Sequence, residues 1–254
     1  MPKTITRVSI IPLPNLPLVT RGDDLTALII NGLSNSGEKL EDNDILVISQ
    51  KIVSKAEGNM VDLNYVTPSR EAQKLAGEVG KDPRIVHLIL KESKRVVRKS
   101  RGVLITEHKK GWICADAGVD FSNVPGSSVT LLPEDPDRTA GAIRNCIREH
   151  LKVDIAVLIC DSQGRPFRMG SVGVALGYAG LAGLVSRIED EDLYHYRLQH
   201  TQIAVADQVA SSALLVMGET NEGVPAAIVR GLDLSHKRGT GQELIRPADE
   251  DLFR

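Results

Sequence analysis

Ile155-Ala156-Val157-Leu158-Ile159-Cys160-Asp161-Ser162 is an unbroken apolar run that stops on a carboxylate and a hydroxyl. An apolar stretch of this length, with Gly164 and Pro166 soon after it, reads as a buried strand rather than a surface element. The strand places Asp161 at its C-terminal end, where a carboxylate can hold a divalent cation beside a phosphate and Ser162 can add a hydroxyl. The plainer reading is that Asp161 caps a turn. Upstream, Asp135-Pro136 opens a helix ending near His150, with proline at the first helical position. Downstream, no residue from Met169 to Ser186 is charged, and glycines stand at 170, 173, 177, 180 and 183. That spacing is too poor in strongly apolar side chains for a membrane helix. It predicts a buried segment where backbones approach closely, because glycine lacks the side chain that would hold them apart.

Further out, strands and helices alternate without a regular period. Thr4 to Ile11 is rich in β-branched residues and reads as a first strand. Asp23 is placed to cap a helix through Leu33, with Leu25, Leu28 and Ile29 on one face. Ile45 to Ile48 is a buried strand. Thr67-Pro68 and Asp82-Pro83 each start a helix, the second running to about Ser93. Two short strands flank Ser100-Arg101-Gly102. Thr201 to Met217 reads as a long helix closed by Gly218 in a left-handed cap, and Pro225 to Val229 as a last strand. This order predicts an α+β fold with at least one mixed sheet.

The chain has 254 residues, 31 basic and 33 acidic side chains, and a formal net charge of −2. At ~150 residues per domain this is one or two domains' worth of chain, and no linker marks a boundary. Three Phe, four Tyr and one Trp leave few stacking platforms, and there is no basic excess, so a nucleic-acid partner is not expected. Cys114, Cys146 and Cys160 are odd in number and widely spaced, which fits reduced thiols in a cytoplasmic protein and excludes a Cys-x-x-Cys pair or a zinc ribbon. The N-terminus has no apolar signal core.

Neither a Gly-x-x-x-x-Gly-Lys-Ser/Thr loop nor a strand-linked Gly-x-Gly-x-x-Gly is present. Chemistry must sit elsewhere. Asp120 and Asn123 lie in a glycine-introduced loop, and Glu219 and Glu222 in the loop Gly218 to Gly223. Hard cations such as Mg²⁺ or Mn²⁺ take oxygen ligands of this kind from several segments. Lys51 and Lys55 follow the Ile45 strand and are either phosphate contacts or solvated surface lysines. The basic run Lys91 to Gly102 reads as a solvated strand edge. Arg165 and Arg168, near Asp161, suit an anionic substrate or a structural ion pair.

In this order the segments resemble one family, the coenzyme F-420:L-glutamate ligases, also called F-420-0:gamma-glutamyl ligases. The resemblance rests on Leu16-Pro17-Leu18-Val19, Gly22-Asp23-Asp24-Leu25, and Ser54-Lys55-Ala56-Glu57-Gly58. It continues through Cys114 to Asp120, Ser122-Asn123, and Leu132 to Asp137. Asp161-Ser162 with Gly164-Arg165-Pro166-Phe167-Arg168, Ala204 to Asp207, and Met217-Gly218-Glu219 complete it.

The resemblance implies a cytoplasmic, homodimeric ligase of mixed α+β, two-lobed architecture, with residues 1–254 forming one unit of two interleaved lobes. It implies that GTP phosphorylates a carboxylate of a deazaflavin precursor and that L-glutamate displaces the phosphate, first through its α-amine and then by γ-linked extension. Mg²⁺ or Mn²⁺ and a role for K⁺ come with it. By position, Asp120, Asp161, Glu219 and Ser162 match metal ligands, with Asp161, Lys55 and Asp120 as the catalytic set. Leu16, Pro17, Leu18, Val19, Gln50, Lys51, Lys55 and Asn123, with Met217, Gly218, Glu219, Thr220, Asn221 and Glu222, match the nucleotide wall. The chain departs from the family pattern at Asp116, where Asn is usual, at Ser162, where Thr is usual, and across Ser186 to Leu198, where His195-Tyr196-Arg197 follows Asp192-Leu193-Tyr194. Two alternatives stay open: the same chemistry on another carboxylated acceptor, and a noncatalytic nucleotide-binding protein.

Overall fold

A computed structural model describes residues 7–232 and 239–253. The chain forms β1 (Ser9–Pro12), α1 (Leu25–Ser36), β2 (Ile45–Ser49), α2 (Gln50–Glu57), β3 (Met60–Asp62), α3 (Arg70–Val79), α4 (Pro83–Glu92), β4 (Ser93–Ser100), β5 (Val103–His108), β6 (Ile113–Ala115) and β7 (Ser128–Thr130). It continues with α5 (Pro136–Leu151), β8 (Ala156–Arg165), β9 (Arg168–Ala179), β10 (Leu184–Ser186), β11 (Gln202–Ala204), α6 (Val205–Met217) and β12 (Ala226–Arg230).

The fold is α+β around a five-stranded mixed sheet in the order β1-β12-β2-β8-β9. β2 and β8 run parallel, with Ile45 opposite Ala156 and Ser49 opposite Cys160. Ile45–Ile48 of β2 and Ala156–Cys160 of β8, the part of β8 beside β2, are apolar because both faces are covered there. Leu46, Ile48, Val157 and Ile159 enter one core with α1, α2 and α5. Ile45, Val47, Ala156, Leu158 and Cys160 enter the other with α6. A further core, of residues such as Ala72, Val86, Ile89, Leu104 and Val129, lies among α3, α4, β5 and β7.

Several expected boundaries move. β8 does not stop at Asp161, and Asp161 does not cap a turn. The strand runs on to Arg165 because β9 folds back on it, pairing Asp161 with Val174 and Gly164 with Ser171. The turn falls at Pro166-Phe167, with Phe167 at φ 61. Asp24, not Asp23, caps α1, accepting from Thr26 N and Ala27 N, while Asp23 accepts from Thr20 N at 2.7 Å. Helix α3 starts at Arg70 rather than at Pro68, because the Ser69 hydroxyl accepts from Ala72 N and sets the cap there. Residues 202–204 pair with β10 as a strand, so α6 starts only at Val205. Gly218 closes α6 with φ 73 but ψ 179, an extended rather than a left-handed helical conformation. β1 begins at Ser9, and the earlier part of the expected strand, Thr4 to Thr6, lies outside the described residues.

Other expectations hold. Asp82-Pro83 and Asp135-Pro136 start α4 and α5, each with the aspartate as cap. The uncharged glycine segment is buried only from about Gly173 to Gly183, where β9 lies between two helices. Its start, Met169 to Ser171, is the exposed tip of the β8–β9 hairpin, and Ser186 is exposed as well. A Cβ on Gly173 would lie 2.5 Å from the backbone of Ala210 and Ser211 in α6, and one on Gly177 would lie 2.5 Å from Asp137 N in α5. The basic run is the edge strand β4, with Arg95 paired to Glu107 and Lys99 to Glu78. All three cysteines are free. Burial pushes the Cys114 thiol up to about 12 and Cys160 higher still, so neither supplies a reactive thiolate. Among the described residues no helix is long and apolar enough to cross a membrane.

Candidate functional site

Ser49 ends β2 and caps α2, so the helix leaves directly from the central sheet with its first residues beside β8. Gln50 is buried, accepts from Ser54 Oγ at 3.0 Å, and places its Nε2 3.5 Å from Asp161 Oδ1. Lys51 and Lys55, four apart, share a neighbouring face of the helix. Lys51 Nζ donates to Asp120 Oδ2, to Ser122 Oγ and, at 2.8 Å, to Ser122 O. Lys55 Nζ donates to Asn123 O at 2.6 Å. Both ammonium groups thus reach the loop that precedes β7.

That loop is tied in turn to the segment after α6. Asn123 Nδ2 donates to Thr220 O at 2.8 Å, and Thr220 N donates to Glu222 Oε2 at 2.7 Å. Glu219 turns to the β8–β9 hairpin, accepting from Ser171 Oγ at 2.8 and 3.0 Å. The fold therefore brings together Gln50, Lys51, Lys55, Asp120, Asn123, Asp161, Thr220 and Glu222, while Glu219 joins them only as the chain neighbour of Thr220.

The electrostatics separate the two aspartates. Burial pushes the Asp161 carboxyl up to about 6; the donors Gln163 and Ser162 N oppose this, and the nearby charge of Asp120 adds to it. For Asp120 burial also works upward, but hydrogen bonds from Lys51 and Ser122 hold it below the usual carboxylate range. Burial, then the charge of Lys51, lowers the Lys55 ammonium. A buried carboxylate with amide donors only is short of positive charge, which is the condition a cation would relieve.

Other expected residues are placed differently. Among the described residues no group of three or more His, Cys, Asp and Glu side chains is gathered closely enough to hold a metal ion. Ser162 follows Asp161 on a regular strand, so its side chain takes the opposite face. Met217, the last residue of α6, is buried in the core against the central sheet. Val19 is buried and Leu16 packs on Gly32, whereas Pro17 and Leu18 are exposed. The Gly22 N–H donates to Ala56 O at 2.9 Å, which brings this segment up to α2. Asp116 accepts from Lys81 Nζ at 2.6 Å and Leu104 N at 3.1 Å, so its extra charge is compensated internally.

Sequence reading missed Gln163, Ser122 and Ser171. Gln163 Nε2 lies 3.3 Å from Asp161 Oδ2 and had a signal, since residues two apart share a face of a strand. Ser171 becomes visible only with the register of the hairpin.

Residues 14–231 match the family model described as F420-0:Gamma-glutamyl ligase. The chain is 46% identical over 249 residues to a protein of Methanothermobacter thermautotrophicus, covering 97% of this chain and 99% of that one. It is 44% identical over 215 residues to one of Methanocaldococcus jannaschii, covering 85% and 86%. With one of Archaeoglobus fulgidus it shares 39% over 248 residues, covering 98% and 97%. Each of these relatives is named Coenzyme F420:L-glutamate ligase.

Proposed function

The chain belongs to the F420-0:gamma-glutamyl ligase family, and on that premise we propose that it joins L-glutamate to the deazaflavin precursor coenzyme F-420-0 at the expense of GTP. The terminal phosphoryl group passes to an acceptor carboxylate, leaving GDP and an acyl phosphate. The glutamate amine attacks the acyl carbon, the bond to phosphate oxygen breaks, and the amine loses a proton. The same sequence then extends the product through a γ-linkage.

The observation that carries this reading is the convergence of two lysines of one helix on the loop holding Asp120, next to the buried Asp161. Lys51 and Lys55 are point charges for phosphate, and Lys55 is the stronger candidate because its carbonyl partner carries no formal charge. Asp120 and Asp161 fit a Mg²⁺ or Mn²⁺ ion as two hard oxygen donors. An ion that takes one or two carboxylates and completes its shell with substrate phosphate does not need a preformed cage of three. When bound, the ion would offset the triphosphate charge. Gln50 and Gln163 orient the Asp161 carboxylate, and Asn123 joins the loop of Asp120 to the segment of Glu219 and Thr220. K⁺ and a homodimer belong to the same proposal.

The pure protein is incubated with the deazaflavin precursor, GTP, Mg²⁺ or Mn²⁺ and L-glutamate, and the products are read by mass spectrometry. Added glutamyl units with stoichiometric GDP are expected. Folded protein that forms no product beside an active control ligase would refute the assignment. A second reading, a different carboxylated acceptor, draws on the segment 186–198, where Leu193 and Tyr194 are exposed. Turnover of the standard precursor at an efficiency equal to the control argues against it.

A further inference from the structure

The β8–β9 hairpin turns through Arg165-Pro166-Phe167-Arg168, and the two arginines stand directly opposite each other across the turn. Cβ atoms so opposed are ~4.5–5.5 Å apart, and like charges in that position destabilise a hairpin. Both side chains are exposed, and neither guanidinium makes an ion pair or a hydrogen bond with any described residue. We propose that Arg165 and Arg168 are a clamp for the acceptor substrate, holding an anionic group of it other than the reacting carboxylate while its flat ring lies on Phe167. The proposal rests on the ligase reading above and adds to it where the body of the acceptor is held.

Position supports it first. Alternation along β8 puts Asp161, Gln163 and Arg165 on one face of the strand, and Gln163 Nε2 already reaches Asp161 along that face. Arg168, opposite Arg165, joins the same row. At the rise of a strand, Arg165 stands ~13 Å from Asp161 along the backbone. One ligand spans that gap if its carboxylate lies at Asp161 and a more distant anionic group meets the inward reach of two long side chains.

The allotment of cations supports it next. Lys51 and Lys55 reach the loop of Asp120 from α2, so the charges suited to nucleotide phosphates come from a different element. The arginine pair is left for another anionic reactant, and its planar forks match carboxylate or phosphate oxygens two at a time.

The apolar tip then selects among the reactants. Phe167 is 88% exposed and Met169 96%. Phe253 meets Phe167 edge-on, with ring centroids 5.4 Å apart, and leaves most of it open. Free glutamate has anionic groups but no ring to cover this surface. An acceptor that joins a flat tricyclic ring to an anionic tail uses the phenyl group and the guanidinium groups together.

Binding of the deazaflavin precursor to the full-length protein is measured by equilibrium dialysis with Mg²⁺ and a non-hydrolysable GTP analogue, and turnover is measured with each substrate varied in turn. Arg165→Gln and Arg168→Gln should each raise the Kd and the KM for the precursor by roughly tenfold or more, the effect of losing a hydrogen bond to a charged group, while the KM values for GTP and glutamate stay within about twofold. Without ligand, neither variant should melt below the parent, because each relieves the like-charge contact. Arg98→Gln, on the edge strand β4, removes one positive charge elsewhere and should leave the precursor's Kd unchanged. Product formation with an unshifted Kd in both hairpin variants overturns the clamp and leaves the ligase reading intact. So does an equal shift in Arg98→Gln, a shift in the KM for glutamate or GTP instead, or a changed elution volume in gel filtration, which would make the hairpin a contact between copies of the chain. Arginine-dependent binding of the precursor without any glutamyl product supports the clamp and removes the ligase reading. A precursor that neither binds nor reacts overturns both.

Discussion

Gln163 donates to Asp161 over 3.3 Å from two residues further along the same strand, so a single amide connects the most buried acid of the site to the strand end that carries Arg165. The acid itself gives the first prediction. Its folded pKa of about 6 lies above the ordinary 3.8, so the folded state keeps a proton that the unfolded chain has released in between. Its contribution to stability is therefore greatest below about pH 4 and declines as pH rises through about 6, by up to about 3 kcal/mol. Asp161→Asn removes that penalty. In EDTA at about pH 8 the variant should melt several degrees above the parent, and near about pH 4 the two should converge. Calorimetry checks this, and the glutamyl product should fall below detection in the same variant.

Lys55 gives a prediction about the nucleotide. Lys55→Met keeps the stem of the side chain and deletes the charge. Loss of a charged hydrogen bond to phosphate should raise the KM for GTP by roughly tenfold to a hundredfold. The KM for glutamate should move much less. Steady-state kinetics with each substrate varied in turn separates the two, and equal changes in both would count against a phosphate contact.

The glycine strand predicts a contrast within one hairpin. Gly173→Ala drives a methyl group into the backbone of α6, which cannot yield as a flexible side chain would. Overpacking of this kind costs ~1–3 kcal/mol, read as a drop of several degrees in Tm. Gly164→Ala has nothing within 4 Å of the new atom and should be close to neutral. Thermal melts of the two variants side by side make the comparison.

His108 carries a pH dependence of the opposite sense. Burial, reinforced by Lys109, Lys110 and Lys94 and opposed by Glu92, pushes its pKa down to about 4. The unfolded imidazole takes a proton near 6.5 and the folded one does not, so stability present above about pH 6.5 is lost as pH falls toward about 4, by about 3 kcal/mol at most. His108→Asn retains an acceptor for Lys110 N and cannot titrate. It should be less stable than the parent at neutral pH, through lost packing on Trp112, yet show a flatter profile between about pH 5 and 7. Urea unfolding across that range tests it.

How much of this was readable beforehand depends on how local each signal is. The apolar run before Asp161, the prolines at 83 and 136, and the glycines at 173 and 177 act through nearest neighbours or simple sterics, and the elements they implied formed. The extension of β8 to Arg165 depends on hydrogen bonds from β9, and nothing in Ser162 to Arg165 encodes that alone. Gln202 to Ala204 had apolar spacing that suits a helix, but pairing with β10 took them into a strand. The choice of Asp24 over Asp23 as a cap is one residue wide, and either side chain is chemically suited.

The candidate site divides in the same way. Residue types were legible because oxygen donors and lysines near strand ends carry their chemistry with them. Their meeting was not. Lys51 and Asp120 are 69 positions apart, and Asn123 and Thr220 are 97 apart. The arginine pair falls between these cases. Arg165 and Arg168 were visible as basic residues near Asp161, but the face they share with it depends on where the hairpin turns.

The pairing of Lys51 with Asp120 has a consequence for selectivity. A lysine already neutralised by a carboxylate gains little by exchanging it for a singly charged anion, and the exchange would strand Asp120 beside Asp161. A polyphosphate arriving with its own cation, as the proposed function requires, would replace both partners at once, giving the lysine more negative charge and the two aspartates a positive one. On the GTP reading proposed above, the resting ion pair would act as a threshold, disfavouring inorganic phosphate and simple carboxylates and yielding to a polyanion that brings its own cation.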